Sequence, residues 1–331
     1  MLEQTSGEAP GGLKDRIALV GSTASGKTAV GALLAERLGA EIVSADSMQV
    51  YRHMDIGTAK PTAGERRQAV FHAVDVADPD QFWTLNDYQR LGDEVCDVLT
   101  MRGQVPLIVG GTGLYVRALT TVLDIPTAPP DEAFRAQWQE FAKTNGNAAL
   151  LACVAQIDPE TAARLHVNDI GRQIRALEVH ASSGRTLTDL HAENRARQPE
   201  KQPLIFGLDL TDRALLYQRI EGRVDQMMTE GLLDEVRALL ARGYSAALKP
   251  MQSLGYRHLT AHLTGEMSLD QAVAAMKQDT RHFARRQLIW FRGDARVRWV
   301  QAGGKPPEQV ADEMFAYIQT QRQNKGDSAS Q

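Results

Sequence analysis

Apolar residues follow two rhythms along this chain, short unbroken runs and stretches spaced by three and four. Ile17-Ala18-Leu19-Val20 is a run that stops at Gly21 and predicts a buried strand. From Thr28 to Leu38 the apolar positions Val30, Leu33, Leu34 and Leu38 have helical spacing, and Gly39 ends them. Glu41-Ile42-Val43-Ser44-Ala45 predicts a second strand, with Asp46-Ser47 just past its end. Helical sequence runs from about Leu85 to Met101. Val105-Pro106-Leu107-Ile108-Val109 then predicts another strand, stopped by Gly110-Gly111. This alternation implies an α/β fold, a doubly wound parallel sheet.

The pattern changes at Pro126, Pro129 and Pro130. From Asp131 to about Arg197 only helical spacing is seen, as at Phe134, Trp138 and Phe141 and again at Ile170, Ile174, Leu177 and Val179. Residues 126–203 are therefore expected to form a helical insertion domain, closed by Pro199 and Pro203. Leu204 to Leu210 looks like a returning strand, followed by helices from Asp212 to about Ala241 and from Leu269 to Phe291. The α/β core would comprise 13–125 and 204–320, with flexible tails at 1–12 and 321–331.

Composition narrows the class. A length of 331 residues suits about two domains, and 43% hydrophobic with 24% charged residues is ordinary for a globular protein. Net charge is −4, so binding of nucleic acid would have to come from a local basic patch. Cys96 and Cys153 are too few for a disulfide scaffold or a four-thiolate zinc site, and point to a reducing, cytoplasmic compartment. No apolar run is long enough to span a membrane.

Gly21-Ser22-Thr23-Ala24-Ser25-Gly26-Lys27-Thr28 fits the phosphate-loop pattern G-x-x-x-x-G-K-[ST] between a strand and a helix, the context the motif requires. Glycines let backbone N–H groups turn towards phosphate oxygens, and the following helix offers its positive end. Lys27 would supply a point charge to the outer phosphate, and Thr28 a hydroxyl to Mg²⁺. A polyphosphate or diphosphate is implied, without saying which.

In such a sheet, ligands gather at the carboxyl ends of the strands. Asp46-Ser47 and Gly110-Gly111-Thr112-Gly113 would both lie there. Position alone leaves Asp46 three roles: metal ligand, general base or helix cap. The strand before Gly110 lacks the terminal acidic residue with which a standard NTPase holds its metal. The glycines around Thr112 would suit close backbone approach to a ligand. Arg223 lies at the edge of the stripe Leu216, Ile220, Val224 and Met227, equally placed to be a solvated arginine or a second cation for the phosphates.

Between Met276 and Arg292 the helical wheel puts Met276, Phe283 and Trp290 on one side and Arg281, Arg285 and Arg292 opposite, with no acidic neighbour at four residues. The apolar side is expected to pack inward. The outward arginine row would suit a phosphate backbone, or be simply a solvated face.

These residues together resemble the tRNA dimethylallyltransferases, also called tRNA isopentenyltransferases. The resemblance runs from about Arg16 to about Val300, on G-S-T-A-S-G-K-T at 21–28, D-S-M-Q-V-Y at 46–51 and M-D-I-G-T-A-K-P at 54–61. It continues through G-G-T-G-L-Y at 110–115, N-D at 168–169, R-A-L-E-V at 175–179, G-Y-R at 255–257 and A-R-R-Q-L-I-W-F-R at 284–292. Ser22 departs from it, since proline is usual there. The resemblance implies transfer of a dimethylallyl group from its diphosphate to N6 of the adenosine 3′ of the anticodon. Gly21 to Thr28 would then hold dimethylallyl diphosphate with Mg²⁺ on Thr28. Asp46 would be the base, and Thr112 and Arg223 would touch the diphosphate. It also implies tRNA contacts by Asp46, Ser47, Met48, Gln49 and Thr112, by Gly171, Arg172, Gln173, Ile174 and Arg175, and by Gln252, Ser253, Leu254, Gly255, Tyr256 and Arg257. Arg281 and Arg285 would join them, the insertion clamping the anticodon stem-loop of tRNA bound to a monomer.

Three rivals stay open on the residues alone. They are a phosphate-loop small-molecule kinase, a prenyltransferase acting on free adenine nucleotides, and a non-catalytic tRNA-binding protein.

Overall fold

The computed structural model describes residues 13–125, 131–199 and 202–328, and its contacts divide the chain into two compact units, Met1–Thr120 with Lys201–Gln331, and Thr121–Glu200. The 1–12 tail and Pro126, Pro129 and Pro130 lie outside the described residues.

The first unit is built on six parallel strands: β1 (Ile17–Val20), β2 (Glu41–Ala45), β3 (Phe71–His72), β4 (Pro106–Gly110), β5 (Leu204–Asp209) and β6 (Val297–Gln301). Their order is β3-β2-β4-β1-β5-β6. Strand residues alternate between two cores. Ala18, Val20, Val43, Ala45, Ile108 and Ile205 face one, while Leu19, Ile42, Leu107, Val109, Phe206 and Leu208 face the other. A sheet buried on both faces needs helices on both, hence the unbroken apolar runs.

The chain leaves β1 for β2 on one side and leaves β4 for β5 on the other. Between these neighbouring strands the connections diverge, which opens a crevice above their carboxyl ends. The loop after β1 feeds the helix Lys27–Leu38, capped by Gly39 in the left-handed region (φ 60°). The loop after β4 feeds the helix Gly113–Thr120. Gly110 is required by packing, because a Cβ there would lie 2.1 Å from the carbonyl oxygen of Ala45 on β2.

The long helical stretch after β5 is two helices, Arg213–Thr229 and Leu232–Ala241, broken at Gly231. The helix Leu269–Arg292 starts at a Ser268–Gln271 capping box. Its buried positions are Ala272, Met276, Thr280, Ala284, Gln287 and Phe291, so the inward face is rotated from the expected Met276–Phe283–Trp290 line. Phe283 is only partly buried, and Trp290 is 41% exposed. The expected loose tail is also corrected. The helix Pro307–Ser328 runs through Gln321, with Val310, Met314 and Ile318 in the core.

The second unit contains the helices Glu132–Asn145, Asn147–Ile157, Pro159–Arg164, Ile170–Ser183 and Leu187–Ala196. Its core joins Leu150, Val154, Ile174 and Leu177 to Phe134, Trp138 and Phe141. It spans Thr121–Glu200 where the sequence pattern suggested 126–203. Residues before Pro126 are tied into it, since the Asp124 N–H donates to Asn194 (2.8 Å) and the Val122 N–H to Gln198 (3.1 Å). Its buried carboxylate, Glu178, accepts from Arg135 (2.8 and 2.9 Å), Arg175 (2.7 Å) and the Asp131 N–H (2.9 Å).

Candidate active site

The crevice between β1 and β4 opens into a cavity of about 370 Å³. The phosphate loop forms one wall. Ala24 (φ 61°) and Gly26 (φ 91°) both take left-handed backbone, the conformation that turns successive N–H groups into an anion-binding concavity. Lys27 follows directly, its Nζ 3.4 Å from the Ser22 carbonyl oxygen. Protein crowding around this ammonium lowers its pKa to about 8, with nearby Asp46 pulling up and Arg223 pushing down. From the helix Arg213–Thr229, Arg223 reaches over to the hydroxyl of Thr23 (3.5 Å). Burial lowers its pKa too, with Glu65 and Asp46 opposing. Two desolvated cations beside inward N–H groups form a cradle for an anion of high charge.

Asp46 and Thr112 stand in the same cavity. Asp46 Oδ1 accepts the Met48 N–H (2.9 Å), a local turn that fixes the carboxylate. Thr112 Oγ1 accepts the Ser47 N–H (3.0 Å) and donates to Ser47 Oγ (3.3 Å), while its own N–H donates to the Ala45 carbonyl (3.0 Å). Val224, Met227, Met276 and Phe283 make the lining partly apolar.

The sequence pattern passed over Gln287. It is 6% exposed, its Oε1 accepts the Thr23 N–H (2.7 Å), and its Nε2 donates to the Gly111 carbonyl (2.9 Å). A signal was available, because the spacing Met276, Thr280, Ala284, Gln287, Phe291 marks a buried face. A polar amide on such a face must find partners. Gln287 also changes the reading of the neighbouring glycines. A Cβ on Gly111 would meet its Nε2 at 2.3 Å, and one on Gly113 the Trp290 indole at 2.2 Å. These glycines make room for protein side chains.

Residues expected to meet tRNA divide in two. Ser47, Met48, Ser253, Leu254 and Arg257 line the cavity, and the Ser253 hydroxyl has no hydrogen-bond partner among the described residues. Gln252 is exposed, as are Gly171 and Arg172 in the helical unit. Others are engaged within the protein, all of them buried except the half-buried Arg175. Gln49 accepts from the Ser44 hydroxyl (2.9 Å) and donates to the Thr58 and Ala59 carbonyls (3.2 and 3.0 Å). Gln173 is fully buried and donates to the His166 and Val167 carbonyls (3.1 and 2.9 Å). Ile174 belongs to the helical core, and Arg175 is tied to Glu178. Gly255 is buried, and the buried Tyr256 donates its hydroxyl to Glu235 (2.6 Å). The hydrogen bonds of these side chains are made within the protein, and Gln49 also lines the cavity.

The arginine row is also revised. Arg281 pairs with Glu221 (2.5 Å) from the helix Arg213–Thr229 and lies over the Tyr217 ring. A helical wheel of one segment cannot show such a partner. Arg285 is exposed, and Arg286 lines the cavity beside Phe283.

A lysine-bearing phosphate loop at the switch point of a doubly wound sheet, opposite a fixed carboxylate, defines a P-loop enzyme that handles a phosphorylated substrate. Comparison with known proteins narrows this. The model of the IPP transferase family matches residues 49–294, and that of isopentenyl transferase matches residues 15–70. A tRNA dimethylallyltransferase of Geobacter metallireducens is 46% identical over 88% of this chain and 94% of its own. The solved tRNA isopentenylpyrophosphate transferase of Bacillus halodurans is 36% identical, with a TM-score of 0.70 over 95% of this chain and 99% of its own. A eukaryotic dimethylallyltransferase solved acting on tRNA shares the fold, at 24% identity and a TM-score of 0.72 over 87% of this chain and 74% of its own. The chain belongs to the IPP transferase family. It is a prenyl-transferring enzyme.

Proposed function

We propose that this enzyme transfers the dimethylallyl group of dimethylallyl diphosphate to N6 of the adenosine 3′ of the anticodon in tRNA, giving N6-dimethylallyladenosine and diphosphate. The observation that carries the reading is the sharing of one cavity by an anion cradle (Lys27, Arg223 and the loop Gly21–Thr28) and a fixed carboxylate, Asp46.

Adenine N6 is a weak nucleophile because its lone pair is delocalised into the ring, so most help must go to the leaving group. As the allylic C1–O bond breaks, positive charge develops on carbon and negative charge on the diphosphate. Lys27, Arg223 and the loop N–H groups stand where the negative charge grows. N6 bonds to C1 and its proton passes to Asp46 Oδ2. The Thr112 hydroxyl would reach the diphosphate from the opposite loop by turning its proton away from Ser47 Oγ. The adenine must leave its stack to enter the cavity, which a single-stranded loop permits at least cost.

Mg²⁺ suits this donor set. Among the described residues no three His, Cys, Asp or Glu side chains converge on a metal site. Magnesium commonly takes one or two protein oxygens with substrate phosphates, and the Thr28 hydroxyl in the cavity wall is such an oxygen. When bound it would add positive charge to the diphosphate.

The helical unit is proposed to clamp the anticodon arm, offering the exposed Arg172 among its tRNA contacts. The enzyme is proposed to act as a monomer. Among the described residues no helix is long and apolar enough to cross a membrane; a cytoplasmic location is proposed from the tRNA substrate.

The test is incubation with radiolabelled dimethylallyl diphosphate and Mg²⁺, offering tRNA, AMP or neither. Label in tRNA alone is expected. Label in AMP alone would establish the free-nucleotide reading, and no label with either acceptor would overturn both.

A further inference from the structure

We propose that Gln287 is a positioning residue that sets the separation between the diphosphate cradle and the proton-accepting loop. This rests on the transfer reaction proposed above. One carboxamide bridges the two sides of the cavity. Its Oε1 holds the N–H of Thr23, whose hydroxyl receives Arg223. Its Nε2 holds the carbonyl of Gly111, the residue before Thr112, and Thr112 in turn holds Ser47 beside Asp46. Arg223 and Asp46 are thus linked through Thr23, Gln287 and Thr112, and Gln287, on the helix Leu269–Arg292, is the member that spans the two loops.

The bridge has a polarity. The phosphate loop presents a donor and the Gly111 loop an acceptor, so the partner must carry one acceptor and one donor at fixed spacing. Glutamine has both, glutamate lacks the donor, and methionine has the length with neither. Burial makes the Gly111 bond matter most, since leaving that carbonyl unpaired and dry costs more than the bond itself contributes. Gly111 is part of the same device, because only a residue without Cβ leaves room for Nε2. Gln287 touches no reacting atom. Its effect is on alignment, where a misplacement of about 1 Å costs on the order of 100-fold in rate.

Three variants test this, Gln287→Met, Gln287→Glu and Gly111→Ala. The readouts are kcat and KM with dimethylallyl diphosphate and tRNA, affinity for inorganic pyrophosphate, and Tm. Gln287→Met is expected to lower kcat by roughly 10- to 100-fold, leaving pyrophosphate affinity within about threefold and the protein folded at the assay temperature. Gly111→Ala should reproduce that pattern. Gln287→Glu should lose as much at neutral pH, but its kcat relative to wild type should rise as pH falls, because the protonated carboxyl regains a donor for the Gly111 carbonyl. A purely structural role would give no such rise. A Gln287→Met enzyme with wild-type kcat, or a Gln287→Glu ratio flat with pH, overturns the role of Gln287 while transfer by the wild type stands. A wild type that transfers no label overturns the reaction and this role together.

Discussion

Lys27 is the residue whose chemistry is most altered by its surroundings. With a pKa near 8 in the free protein it is charged below that value and loses its proton as pH rises through it. A diphosphate binds the charged form, so affinity should weaken as pH climbs past 8, beyond any titration of the ligand itself. Calorimetry with inorganic pyrophosphate from pH 7 to 9.5 checks this. Wild type should lose affinity more steeply than Lys27→Met, which binds weakly throughout, and parallel slopes would refute the assignment. Cys96 lies at the other extreme. Burial pushes its thiol up to about 12, so it should resist alkylation in the native state and react only on unfolding. Thiol labelling before and after denaturant reads this directly.

At the scale of elements, the sequence pattern predicted best where both faces of an element are buried. β1 and β4 are unbroken apolar runs, and β2 and β5 carry apolar stretches, because helices cover both sides. β3 has two half-buried residues, and β6 carries the exposed Arg298 and Gln301, so neither has a period to read. The helix Leu269–Arg292 shows a second limit. Its wheel separates apolar from basic residues, yet its buried stripe contains Thr280 and Gln287, and Arg281 is neutralised by another helix. Periodicity ranks side chains by polarity, whereas burial follows from partners distant in sequence. Glu178 in the helical unit belongs here too. Burial alone would raise its pKa, but Arg135, Arg175 and the Asp131 N–H hold it down to about 2. A depressed carboxyl stabilises the fold above its ordinary value near 4.5 and loses that contribution as pH falls from there towards 2. Glu178→Gln should therefore destabilise the helical unit at pH 7, by about 2 to 4 kcal/mol. The difference from wild type should shrink in acid, as urea melts at pH 7 and pH 3 would show.

The molecule as a whole is acidic and yet is proposed to hold a polyanion, so the basic side chains that remain unpaired must carry the contact. Arg285 is exposed while Arg281 is engaged with Glu221. Arg285→Ala should flatten the dependence of log K for tRNA on log salt by about 0.7 to 0.9, and Arg281→Ala should do so much less. Equal slopes for the two variants would contradict this. Much of the site was legible at this scale. The phosphate loop, Asp46, Thr112 and Arg223 share the cavity that strand order implied. Of the side chains expected to meet tRNA, Gln173 and Tyr256 are buried and hydrogen-bonded within the protein, and Gln49 is hydrogen-bonded in the cavity wall. A motif marks residues that matter without saying whether they touch a ligand or hold those that do.

The central claim is that cradle and carboxylate perform separate tasks across one cavity, and Asp46→Ala separates them. Single-turnover transfer of label to tRNA, measured beside pyrophosphate affinity, is the direct measurement. The account predicts a loss of transfer of about 10²- to 10⁴-fold with pyrophosphate still bound. Near-normal turnover in Asp46→Ala would contradict it.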